Sequence, residues 1–287
     1  MSLLLALAAA AAYGAADFLG GLASRKSAIA AVIVAQQTLA LVLALMAAPL
    51  LTGVPNAPNL IWGALAGLAY ALGIFLLYRG LATGQMSVVA PITGVCAPCL
   101  PVLIGLLTGE RPGFWALTGV VLAGAAIVLV SWAPDATRRA AEPGSAAARA
   151  QRQVVFTAIG AGMAFGAFLA LSAQTSSDAG LWPLVSGRAV TLLVHLGVAL
   201  ATRQPLRLAR ASLWTALAGG AIDLCANALY LVATRSALIS LVGTVTSLYP
   251  ATTVLLASLV LRERIQARQG LGLVCAALAV LLITQTP

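Results

Sequence analysis

Ten stretches of about twenty predominantly apolar residues, read between polar interruptions, take up nearly the whole of this chain. They lie at approximately 2–22, 29–51, 59–79, 87–107, 114–133, 153–173, 182–202, 212–233, 237–261 and 269–285. A helix needs roughly 20 such residues to cross about 30 Å of hydrocarbon, and a lipid-embedded helix satisfies its own backbone polar groups. With 61% hydrophobic and 8% charged residues the chain cannot clothe itself for water, since a soluble surface draws on about 25% charged residues. The expected class is an all-α integral membrane protein of ten transmembrane helices.

The chain also repeats itself. Trp62-Gly-Ala-Leu-Ala-Gly67 returns as Trp214-Thr-Ala-Leu-Ala-Gly219, an offset of 152 residues that also superimposes Tyr13-Gly14 on Phe165-Gly166, Leu77-Tyr78 on Leu229-Tyr230 and Pro98 on Pro250. Beyond the prolines the offset becomes 153, which aligns Glu110-Arg111 with Glu263-Arg264 and Gly119 with Gly272. Self-similarity at a fixed period marks duplication. Five spans per copy is an odd number, so the second copy enters the membrane in the opposite sense, and the expected architecture is two inverted five-helix repeats. The expected division is a first repeat at 1–133, a linker at 134–152 rich in Ala and Arg, and a second repeat at 153–287. The first apolar segment is too long for a signal-peptide core and lacks a basic leader, so it is expected to stay in the protein.

The net charge of +9 suggests an acidic partner until its placement is read. In the ten-span arrangement Arg25, Lys26, Arg79, Arg138, Arg139, Arg149, Arg152, Arg203, Arg207, Arg210, Arg262, Arg264 and Arg268 share one side, and only Arg111 and Arg235 lie on the other. The positive-inside bias puts the first side, with the linker, in the cytoplasm and both termini outside it, in a multi-pass protein of the cell membrane. Nucleic acid is not an expected partner. All four cysteines lie within spans, so structural disulfides are not implied. Cys96 and Cys99 form a C-x-x-C on a helix with no second Cys/His pair to complete a metal site, and are read as packing residues.

Ionisable groups inside spans are costly and point to function. Four occur here: Asp17, Arg188, His195 and Asp223. Tyr13 and Asp17 share one side of the first span. Arg188, Thr191 and His195 fall at i, i+3 and i+7 on the seventh, and Asp223, Asn227 and Tyr230 repeat that spacing on the eighth. These stripes are candidates to face one water-filled cavity, with Asp17 or Asp223 as a protonatable coupling site and Arg188 receiving a substrate anion. The alternative is a buried Asp–Arg pair that braces the bundle. The repeat offset sets Arg188 opposite Gln36 and Asp223 opposite Ala71, so the scaffold is symmetric while its polar chemistry is not, as an asymmetric cargo would require. Gln36, Gln37, Tyr70, Tyr78, Thr244, Thr246 and Tyr249 can add neutral hydrogen bonds. Pro91, Pro98 and Pro101 in the fourth span and Pro250 in the ninth are expected to kink or break those helices, either beside a cavity or as simple bends. Glu110 and Glu263 read as anchors at helix starts.

The aromatic-Gly element of each first span, the proline-bearing fourth spans and the Gly109-Glu110-Arg111 and Arg262-Glu263-Arg264 elements before each last span resemble the EamA family of the drug/metabolite transporter superfamily. The resemblance covers essentially the whole chain. It implies a secondary transporter, by export or exchange, of small metabolites such as amino acids or related compounds, working by alternating access with no bound cofactor, no metal and no enzymatic activity. Protons are the candidate coupling ion, lipid surrounds the protein, and a monomer is expected because two repeats already supply both halves of a path. The competing readings are an integral membrane enzyme acting on a lipid or isoprenoid, for which no H-E-x-x-H, P-loop or Ser/His/Asp arrangement appears, and an uncoupled facilitator.

Overall fold

A computed structural model describes residues 2–50, 53–83, 86–109, 111, 113–130, 146–261 and 267–284. Among them are twelve α-helices and two short 3-10 turns. The helices are α1 (Ser2–Ser24), α2 (Ile29–Ala47), α3 (Ala57–Thr83), α4 (Met86–Cys96), α5 (Cys99–Leu107), α6 (Phe114–Val130), α7 (Ala146–Ser172), α8 (Trp182–Ala201), α9 (Arg210–Thr234), α10 (Ile239–Thr246), α11 (Tyr249–Val260) and α12 (Ala267–Thr284). Seven helical stretches are long and apolar enough to cross a membrane: Ser2–Ser24, Ile29–Leu50, Ala57–Ala82, Arg152–Ser172, Trp182–Ala201, Arg210–Thr234 and Ile239–Val260. Shorter apolar stretches occupy Ile92–Leu107 and Leu117–Ala126. Large apolar side chains such as Leu4, Met46, Leu72, Val121, Phe156 and Leu193 are exposed on these helices. Surface of that kind is stable only against hydrocarbon, and the chain is a multi-pass integral membrane protein.

Residues 146–152 of the expected linker are helical and form the start of α7, Ala146–Ser172. Glu110 and Glu263 lie outside the described residues, as do residues 131–145, which include the rest of the linker.

Helices of the first half pack chiefly on helices of the second. α1 lies along α9, α3 along α7, and α6 along α12. α3 also packs on α8, and α2 on α9. Each such pairing has a counterpart when helices of equal rank in the two halves are exchanged: α1 with α9 becomes α7 with α3, and α2 with α9 becomes α8 with α3. The recurrent Trp-x-Ala-Leu-Ala-Gly explains part of this. Its last residue, Gly67 in α3, abuts the backbone of Gly187 in α8, while Gly219 in α9 has space for a Cβ only 2.6 Å from Nε2 of Gln36 in α2. Without a hydrophobic effect between helices in lipid, such small-residue contacts let backbones approach and gain dispersion energy. Adding one methyl at Gly67 drives it into the Gly187 carbonyl, so Gly67→Ala is expected to cost about 1–3 kcal/mol of overpacking. Gly197→Ala, whose new Cβ meets nothing within 4 Å, is the neutral comparison, and denaturation of both variants in detergent micelles checks the difference.

The proline-bearing spans break, as expected. α4 ends at Cys96 and α5 begins at Cys99 with Pro98 as its N-cap, and α10 ends at Thr246 before α11 begins at Tyr249 with Pro250 in its first turn. Proline lacks the N–H that would continue the ladder and its ring clashes with the preceding turn. Cys96 and Cys99 therefore close one helix and open the next instead of sharing a single helix, and all four cysteines are free thiols. At one end of the bundle, polar contacts join three loops. Val54 N donates to Asp178 O (2.9 Å), Ser176 N to Asn59 Oδ1 (2.7 Å), and Arg235 Nη2 to Gly180 O (2.7 Å). Partial burial lowers the pKa of the Arg235 guanidinium, and nearby Asp178 opposes that shift.

Candidate functional site

Two breaks and two glycines build the centre of the molecule. Gly14 of α1 abuts the Tyr249 carbonyl at the start of α11, and Thr253 Oγ1 donates back to Gly14 O at 3.1 Å. Gly166 of α7 meets the Ala97 carbonyl, 2.6 Å from its would-be Cβ, at the break between α4 and α5. The aromatic-Gly element thus does the same work twice: the glycine admits the broken helix of the opposite half, and the aromatic residue before it turns into the space beside the break. That space is a small cavity lined by Tyr13, Asp17, Tyr70, Ala97, Phe165, Phe168, Leu169, Asp223, Thr246, Ser247 and Tyr249. Three pairs of lining residues are related by the 152-residue offset: Tyr13 with Phe165, Asp17 with Leu169, and Ala97 with Tyr249.

A second small cavity adjoins it between α3, α7, α8 and α9. Its wall includes Ser172, Arg188, Thr191 and Asn227, and it shares Tyr70 and Phe168 with the first. Those two rings stand edge to face at 5.1 Å and form the partition.

One ion pair crosses the partition. Arg188 Nη2 lies 2.6 Å from Asp223 Oδ2, with both side chains buried. The contact lacks hydrogen-bond angles, so by distance it is an ion pair while both atoms keep unused hydrogen-bonding capacity. Arg188 Nη1 donates to Gln37 Oε1 at 2.9 Å, and the guanidinium sits 4.8 Å from the centroid of Tyr70. Asn227 Nδ2 donates to the Asp223 main-chain oxygen (2.7 Å) and to Oδ1 (3.2 Å), which fixes the carboxylate's rotamer. Asp17, half-buried, has no ion pair among the described residues.

The structure therefore brings Tyr13, Asp17, Arg188, Asp223 and Asn227 to the two cavities and keeps the other three candidates away from them. Gln36 accepts a hydrogen bond from the Tyr78 hydroxyl at 2.9 Å and packs under Gly219 and Gly220 of α9. His195 Nδ1 lies 2.9 Å from the Thr191 carbonyl of its own helix, and its ring is tilted against Phe75. The Tyr230 hydroxyl donates to Leu169 O at 2.9 Å and ties α9 to α7. Phe168, Ser172 and Ser247 belong to the walls and carry no signal in the sequence, whereas Phe165 was marked by its alignment with Tyr13. Most Ser and Thr hydroxyls donate to carbonyls three or four residues back, as Thr93, Thr244 and Ser247 do. By contrast, Tyr13, Thr246 and Tyr249, which line the first cavity, have buried hydroxyls without hydrogen-bond partners among the described residues.

Comparison with known proteins bears on this arrangement at two levels. A crystal structure of another protein matches the fold with a TM-score of 0.70 over 99% of this chain and 96% of that one, at 15% sequence identity. No curated protein matches the sequence. The family model described as the EamA-like transporter family matches residues 152–285. That match takes in helices α8 to α12 and most of α7, so it is the second half of the chain that is similar to the EamA-like transporter family.

Proposed function

We propose that this protein is a secondary transporter of small metabolites, amino acids or related compounds, that alternates access between two inverted five-helix repeats at 1–133 and 153–287 joined by the linker at 134–152. The observation that carries the proposal is the cavity at the two helix breaks, whose walls include three pairs of residues related by the repeat offset. A space on the pseudo-symmetry axis between two halves opens to one side or the other when the halves rock, because exchange of the halves' conformations maps one opening onto the opposite one. The exchange-related helix pairings support the same reading. Joining α4 with α5 and α10 with α11 gives five spans per half and ten in all. The arginine distribution orients the protein in the cell membrane with both termini outside the cytoplasm, and a monomer holds both halves of the path.

Asp17 is the proposed coupling site. Arg188 and Asp223 balance each other, which leaves one carboxylate in the cavity wall without a cation among the described residues, and a lone charge at such depth calls for a proton or a charged cargo. Purified protein in liposomes under an imposed pH gradient tests the function, after a screen of candidate compounds by thermal stabilisation supplies the solutes. Concentrative uptake that collapses when the gradient is dissipated is expected. Downhill flux alone contradicts coupling, and no flux of any stabilising compound contradicts transport.

A further inference from the structure

We propose that the cavity at the helix breaks selects a singly charged cationic amine with an apolar or aromatic body, its ammonium received by Asp17 and Asp223. The inference rests on the transporter reading above and narrows its substrate.

Charge comes first. Among the described residues, two carboxylates line the cavity and no Lys or Arg does. Arg188 belongs to the adjoining cavity and is engaged on three sides, by Gln37, by Asp223 and by the face of Tyr70. Of the three ionisable groups, one unit of negative charge is left to the cavity, and it matches a cargo of charge +1.

The neutral groups agree with the charge. Tyr13, Tyr249 and Thr246 line the same space, and their hydroxyls are buried with no hydrogen-bond partner among the described residues. Each hydroxyl both donates and accepts hydrogen bonds, so its oxygen can take an N–H of an ammonium while its O–H turns to an aspartate or a neighbouring hydroxyl. Unpaired buried polar groups are costly until something pairs with them. Five aromatic rings supply the rest of the wall: Tyr13, Tyr70, Tyr249, Phe165 and Phe168. Their negative faces favour a cation, and their area favours an apolar body. A zwitterionic amino acid presents the same ammonium, yet its carboxylate meets either the two aspartates or an arginine already held by three partners. A simple acid fares worse still.

Three probes share a phenylethyl body and differ in charge: phenethylamine, phenylalanine and 3-phenylpropionate. Their dissociation constants for the purified protein in detergent at neutral pH are to be measured by calorimetry. Phenethylamine is expected to bind at least about tenfold more tightly than either companion, and Asp17→Asn is expected to weaken it by about tenfold or more, as loss of a charge-assisted contact does. The conservative Asp17 change leaves the Arg188–Asp223 pair intact, so folding is preserved. Equal or tighter binding of phenylalanine or phenylpropionate, an unchanged affinity in Asp17→Asn, or no binding of any probe overturns the proposal. Selective amine binding without amine flux in liposomes upholds this inference and removes the transporter reading instead.

Discussion

Asp223→Ala is expected to destabilise the protein by about 3–5 kcal/mol, because it strands the Arg188 guanidinium inside the bundle without its ion-pair partner. Both side chains are buried, 4% and 8% exposed, so water cannot restore what the variant removes. Asn227 loses its side-chain acceptor in the same step and retains only the Asp223 main-chain oxygen. Arg188 keeps the Gln37 contact and the Tyr70 face, neither of which neutralises it. A double variant, Arg188→Met with Asp223→Leu, replaces the pair by apolar side chains of comparable length. Such exchanges are often neutral in stability, so the double variant is expected to recover at least half of the loss while transport stays abolished. Denaturation of the three proteins in detergent micelles, analysed as a double-mutant cycle, reads both parts. An Asp223→Ala variant as stable as the parent contradicts the ion pair's role.

Asp17→Asn is expected to abolish concentrative, pH-driven uptake, by tenfold or more in initial rate, with stability changed by less than about 1 kcal/mol. The change is isosteric, and Asp17 holds no ion pair among the described residues whose loss would strand a partner. Its amide cannot exchange a proton with the medium, so transport is left to run downhill only. The contrast with Asp223→Ala separates the two aspartates: Asp223 braces the fold as well as facing the cavity, and Asp17 is the one proposed to couple transport to the gradient. Full gradient-driven uptake by Asp17→Asn removes it as the coupling group.

Much of this was legible in residue spacing, and the exceptions have physical causes. The repeated Tyr13-Gly14 and Phe165-Gly166 carried more than duplication, since the two aromatics meet in one cavity and the two glycines admit the two helix breaks. Asp223 and Arg188 stand on different helices, α9 and α8, at a spacing that offered two outcomes, a cavity lining and a bracing pair. The geometry combines them, because the pair itself divides two cavities. Helical periodicity fails at the ends of the stripes. His195 and Tyr230 share a face with Arg188 and Asp223 by sequence, yet seven residues carry each about 10 Å along its helix, where neighbouring helices offer Phe75 and the Leu169 carbonyl instead of open space. The offset set Gln36 opposite Arg188, whereas the long guanidinium reaches Gln37, whose side chain projects about 100° away around α2. No single-chain pattern encodes which of two adjacent glutamines a residue 151 positions later will touch. The broken fourth span likewise yields α4 and α5, too short to register separately as membrane-crossing helices, and only their joint packing on α7 presents them as one span.

In the proposed mechanism one cavity opens alternately to the two sides of the membrane. Thr246 lines it and is 1% exposed in the state described, so a cysteine there reports opening and little else. In a variant with Cys96, Cys99, Cys225 and Cys275 replaced by serine, Thr246→Cys is to be treated with a small membrane-impermeant thiosulfonate added to one side or the other of oriented liposomes. Modification from both sides, slowed in each case by a bound cargo, is the predicted result. Modification from one side alone under every condition contradicts alternating access at this cavity.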